Sequence, residues 1–144
     1  MHEKISGAYD PQFQIVEHTA DWSIRARGDD FAHLLVSAAY GMSSLLVDDV
    51  DSLSPAEEHT VDVEGFDRES VLVEWLSELA YFAERDGLVF RHFEIHEAGP
   101  TTVRATVRGT RVPEMHKHIK AVTYHNLEVK ETSAGLEAEI VFDV

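Results

Sequence analysis

Behind Gly28-Asp29-Asp30 the apolar residues Phe31, Leu34, Leu35, Ala38, Met42, Leu45 and Leu46 recur at helical spacing and make one continuous stripe. Either aspartate can accept from the free N–H groups of the first turn and favours the positive end of the helix dipole. A helix with so regular an apolar face is stable only against a second apolar surface, which the rest of the chain has to supply. On its N-terminal side the period changes to two. Phe13 and Ile15 alternate with polar neighbours, and Trp22, Ile24 and Ala26 alternate with Ser23, Arg25 and Arg27, which reads as strands over 12–17 and 22–27. The helix therefore covers a sheet.

The same pattern returns downstream. Val61 and Val63 alternate within a strand over 59–64, and Gly65-Phe66-Asp67 leads into a second helix with Asp67 as its cap. Leu72, Trp75, Leu76, Leu79 and Ala83 make its buried stripe, and Arg85 with Gly87 gives a cationic, glycine-terminated end. Residues 88–97 read as a strand with Val89, Phe93 and Ile95 on one face. Gly99-Pro100 turns the chain, and Val103, Ala105 and Val107 return as the second arm of a hairpin with Arg104 and Arg108 opposite. Residues 121–129 read as a strand whose apolar face switches from Val122 and Tyr124 to Leu127 and Val129, which calls for a bulge near His125-Asn126. After Ser133-Ala134-Gly135 the final strand places Leu136, Ala138, Ile140, Phe142 and Val144 on one face and Asp143 on the other. Residues 1–10 carry no periodic signal and read as a flexible lead-in. The expected architecture is α+β, one domain over 1–144, with a mixed or largely antiparallel sheet covered by two long helices.

Composition limits the function classes. A chain of 144 residues buries a single core without staples, and the absence of cysteine excludes disulfides, a thiolate nucleophile and Cys-based zinc or iron–sulfur sites. With 27 acidic against 12 basic residues the formal charge is -15, so bare phosphate is repelled and strong direct nucleic-acid binding is not expected. The charge reads either as a solubility adaptation, for example to a salty cytoplasm, or as steering toward a basic partner. No apolar run reaches membrane-spanning length and Met1-His2-Glu3-Lys4 lacks a secretory h-region, so a cytoplasmic protein without membrane association is expected.

Three polar stretches invite chemistry. The run Glu17-His18-Thr19-Ala20-Asp21 lies at a strand junction, where side chains project from a rigid backbone, although a turn with a self-bonded Asp is the plainer reading. The acidic loop 47–57 superficially resembles a calcium loop but lacks the sixth-position Gly and the distal Glu of an EF-hand. His116-Lys117-His118 raises a zinc site, yet no third nitrogen or sulfur ligand is near in sequence, and the pair reads as surface chemistry. No nucleophile motif, P-loop or Gly-rich phosphate cradle is present.

Taken together, Glu17-His18-Thr19-Ala20-Asp21 after a strand, Ile119-Lys120-Ala121-Val122-Thr123-Tyr124-His125, and the closing Val141-Phe142-Asp143-Val144 resemble the archease family in order and spacing over essentially the whole chain. Trp22 departs from it, standing where a smaller aliphatic residue is expected. The resemblance implies an accessory protein rather than an enzyme, one that promotes guanylylation and multiple turnover of the RtcB-type RNA ligase in tRNA splicing and meets tRNA only through that ligase. It also implies a divalent metal, commonly Ca²⁺ with Mg²⁺ an alternative, held by Asp21, Asp143 and the carboxylate of Val144. His18, Lys120 and His125 match motif positions and are expected to face the partner or to support the ligands. An oxygen-only donor set suits a hard cation, and two neighbouring carboxylates without one would take up a proton or splay apart. The competing functions are a small metal-dependent hydrolase, with His18 as base, and a metal-pinned structural or chaperone-like binding module.

Overall fold

The computed structural model describes residues 3–5, 9–17 and 21–144. Helix α1, Phe31–Leu46, starts where the Asp30 carboxylate accepts from the His33 amide at 2.9 Å. Helix α2, Arg68–Asp86, starts with a reciprocal cap. Asp67 accepts from the Ser70 amide at 2.8 Å, and Ser70 Oγ accepts from the Asp67 amide at 3.1 Å. It stops at Gly87, whose φ of 65° is left-handed. Every residue of both expected stripes is buried. Among the described residues no helix is long and apolar enough to cross a membrane.

The strands are β1 (Glu3–Ile5), β2 (Gln12–Glu17), β3 (Trp22–Gly28), β4 (Glu57–Glu64), β5 (Leu88–Ala98), β6 (Thr102–Arg111), β7 (Ala121–Val122), β8 (Lys130–Thr132) and β9 (Gly135–Asp143). They form two antiparallel sheets, one ordered β1-β5-β6-β4 and one ordered β2-β3-β9-β7 with β8 also on β9. The α+β class thus holds, with two sheets in place of one. Helix α1 packs on β2, β3 and β9 of one sheet and on β1 and β5 of the other, while α2 packs on β4, β5, β6 and β7. The helices thereby form a layer shared by both sheets. Trp75 of α2 donates its indole N–H to the Leu35 carbonyl of α1 at 3.0 Å, and Ser43 of α1 donates to the Phe90 carbonyl at 2.7 Å, so this apolar layer leaves those polar groups paired.

Three local expectations change. The lead-in over 1–10 contains β1, three residues held by backbone pairing to β5, which no side-chain pattern announces. On β5 it is Phe90 rather than Val89 that shares the face of Phe93, because Phe90 pairs with Gly109 and Phe93 with Val107, while Val89 pairs with Thr110 and is buried too. A register shift between Phe90 and His92 makes this possible. It also requires Gly109, where a Cβ would lie 2.0 Å from the Val89 carbonyl oxygen. The strand expected over 121–129 is only β7. The chain then turns, with Asn126 at φ 52° and the Leu127 amide donating to the Tyr124 carbonyl at 3.0 Å, so a turn rather than a bulge switches the apolar face.

Candidate functional site

The outer face of the β3–β9 pair carries a ladder of opposed side chains. Arg27 faces Glu137, Arg25 faces Glu139 and Ser23 faces Val141, and the last paired residues are Trp22 and Phe142. The two arginines make ion pairs with their partners at 3.1 Å each. Asp21 and Asp143 each follow directly beyond the last pair, Trp22 and Phe142, on the parity of the arginines and glutamates. Two pairs of opposite charge are thus followed, at the end of the strands, by two carboxylates. On the far side β7 closes against β9, with Ala121 opposite Asp143 and the Lys120 amide donating to the Asp143 carbonyl at 2.7 Å.

Asp21 and Asp143 share an open pocket of about 280 Å³ with Thr123, His125, Val141 and Phe142. Thr123 holds this wall together. Its hydroxyl donates to the Val141 carbonyl at 3.0 Å and accepts from the His125 amide at 3.3 Å. Sequence reasoning singled out His125 but missed Thr123, although its place two residues beyond Ala121 puts it on the same face as Asp143.

The other expected site residues fall differently. His18, with Thr19 and Ala20, lies outside the described residues. Lys120, which precedes β7, lines a separate hollow against α2, with Ser77, Tyr81 and Glu84. Only its backbone touches the aspartate strand. The Val144 side chain is half-buried against the core. His116 and His118 diverge, His116 to Asp48 at 3.2 Å and His118 to Glu84 at 3.3 Å, which separates the imidazoles of the zinc reading. Among the described residues no three His, Cys, Asp or Glu side chains come together as a metal cage. What the strands assemble is a carboxylate pair beside a hydroxyl, a hard-oxygen donor set whose chemistry suits Ca²⁺ or Mg²⁺ once further oxygens join it.

A protein-family model described as the archease protein family (MTH1598/TM1083) matches residues 13–144. The chain belongs to the archease family. Among curated archeases it is 36% identical over 141 residues to that of Methanosarcina mazei, covering 92% of this chain and 96% of the relative. It is 37% identical over 137 residues to that of Methanopyrus kandleri, covering 90% and 96%. The solution structure of Methanobacterium thermoautotrophicum protein 1598 superposes with a TM-score of 0.75 at 27% identity, covering 92% of this chain and 98% of that one. The crystal structure from Thermotoga maritima, described as an archease and possible chaperone, shares the fold with a TM-score of 0.67 at 22% identity, covering 90% and 94%.

In this archease the departure at Trp22 leaves the strand register intact. Trp22 sits opposite Phe142, partly buried against the core, and Lys117 Nζ stands 3.9 Å from the centre of its ring. The ammonium covers the indole face by a cation–π contact, so the larger ring is sealed at the surface beside Asp21.

Proposed function

We propose that this archease is a non-catalytic accessory protein that promotes guanylylation and multiple turnover of an RtcB-type RNA ligase in tRNA splicing, meeting tRNA only through the ligase, in the cytoplasm. A divalent cation, Ca²⁺ or Mg²⁺, is held by Asp21, Asp143 and the carboxylate of Val144, with His125 at the rim. The observation that carries the reading is that Asp21 and Asp143 line one pocket, just beyond a ladder whose charged pairs are of opposite sign. Two carboxylates brought to one pocket repel, so such a pair is retained for what it binds. A bound cation supplies charge neutralisation there and ties the ends of β3 and β9. Thr123 braces the neighbouring wall, and the Lys120 amide fixes the Asp143 backbone.

The family membership supports the accessory role, and the test is functional. Substoichiometric protein added to its ligase should convert near single-turnover joining into multiple turnover, while Asp21→Asn folds normally and fails. If an equal mass of an unrelated acidic protein gives the same turnover, the specific role is lost. Nucleotide hydrolysis by the isolated protein would instead point to the hydrolase reading.

A further inference from the structure

A hollow of about 540 Å³ lies between α1 and β5 and shares no residue with the Asp21–Asp143 pocket. Val36, Tyr40 and Phe93 give it apolar walls, and Tyr9, Arg91, His92 and Arg108 bring polar groups to it. The shift between Phe90 and His92 leaves Arg91 without a partner on β6 and re-aims it, a device that recurs next to binding sites. Among the described residues the buried side-chain polar atoms without a hydrogen-bond partner are the Tyr9 hydroxyl, Arg91 Nε and His92 Nδ1, and all three belong to residues of this one hollow.

The protonation pattern follows from one contact. Arg91 Nη1 lies 2.9 Å from His92 Nε2, and since a guanidinium only donates, Nε2 accepts and the neutral ring carries its proton on Nδ1. Burial first, and then the charges of Arg91 and Arg108, hold the His92 pKa below its ordinary value, in keeping with a neutral ring. Arg91 Nε–H and His92 Nδ1–H are thus two donors without a hydrogen bond. The Tyr9 hydroxyl, beside Ser37 but not well bonded to it, can supply a third. Arg108 is already held by Glu58 at 2.9 Å and contributes field rather than a free donor. Three unpaired polar groups in one hollow, under two guanidinium charges, lack an acceptor-rich, negatively charged group.

We propose that this hollow binds a small oxyanion, a phosphoryl or carboxylate group, through Arg91 Nε–H, His92 Nδ1–H and the Tyr9 hydroxyl. Three carboxylates at the rim oppose it. Asp51 stands 3.8 Å from Arg91 Nε, too far for a hydrogen bond but close enough to compete, and Asp10 and Glu94 also line the opening. Affinity is therefore modest, and removing the Asp51 charge strengthens it.

Inorganic phosphate and acetate, titrated separately into the full chain and followed by nuclear magnetic resonance of the Arg91 Nε–H and the His92 ring, provide the test. At least one of the two should give saturable shifts at about millimolar affinity, and the anion that binds identifies the group as phosphoryl or carboxylate. Arg91→Leu should weaken binding about tenfold. Asp51→Asn should tighten it severalfold, a gain that a folding defect cannot produce. Glu139→Gln, the same loss of one negative charge on the other sheet, should leave it unchanged. The proposal is overturned if neither anion shifts these signals at about 10 mM, or if Asp51→Asn and Glu139→Gln strengthen binding equally.

Discussion

Asp21 and Asp143 share a pocket where the charged pairs of the adjoining strands attract, and this fixes the sign of a mutational response. Neutralising one of them removes a repulsion of about 0.5 kcal/mol on the scale of cross-strand pairs. Asp21→Asn in a chelator should therefore melt no lower than the wild type, while in Ca²⁺ it should lose the stabilisation that the wild type gains. That gain should be about 1.4 kcal/mol at tenfold excess over the dissociation constant. Calorimetry decides the matter, and identical Ca²⁺ responses in both proteins would remove Asp21 from the ligands. At His92 the effect is one of pH. Burial and the nearby guanidiniums lower its folded-state pKa, so on acidification the unfolded chain takes up the proton first. Its contribution to stability is complete above about pH 6.5 and is lost as pH falls through the folded pKa. His92→Gln should show a shallower fall of denaturation midpoint with acid, and a fall as steep as that of the wild type would rule His92 out as a source.

Elements differ in how far their geometry can be read before the chain is folded. Helix α2 was legible because cap, stripe and terminating glycine agree in Asp67, Leu72 to Ala83 and Gly87, and α1 because cap and stripe agree in Asp30 and Phe31 to Leu46. The β5 distortion was not, because Leu88, Val89 and Phe90 are apolar in succession and all buried, and Gly109 on the opposite strand is what lets Phe90 share the face of Phe93. Gly109→Ala should destabilise the fold by about 1–3 kcal/mol by forcing the two strands apart, measurable by urea denaturation. Asp21 and Asp143 were each visible at strand ends, but their meeting depends on the Trp22–Phe142 register, a long-range pairing. Lys120 was read from a motif, and it lines the other hollow, against α2. At the end of β9, a C-terminal extension converts the Val144 carboxylate into a neutral amide. Such a variant should keep its circular-dichroism spectrum and lose Ca²⁺-dependent stabilisation, and calorimetry showing unchanged Ca²⁺ affinity would mean that the carboxylate is not a ligand.

For the molecule as a whole, a net charge of -15 is a self-repulsion that ions screen. Monovalent salt should raise the melting temperature steadily, and a flat or falling curve would show that the opposed ion pairs of the sheet surfaces outweigh the net charge. The helical layer common to both sheets has a further consequence. Because α1 touches strands of each, neither sheet can be peeled away without exposing the stripe from Phe31 to Leu46. Local opening is confined to the periphery, such as the turn around Asn126, and deuterium should enter there quickly. The amides of α1 should exchange last and at a rate set by global unfolding alone, so that both sheets are lost in one cooperative step.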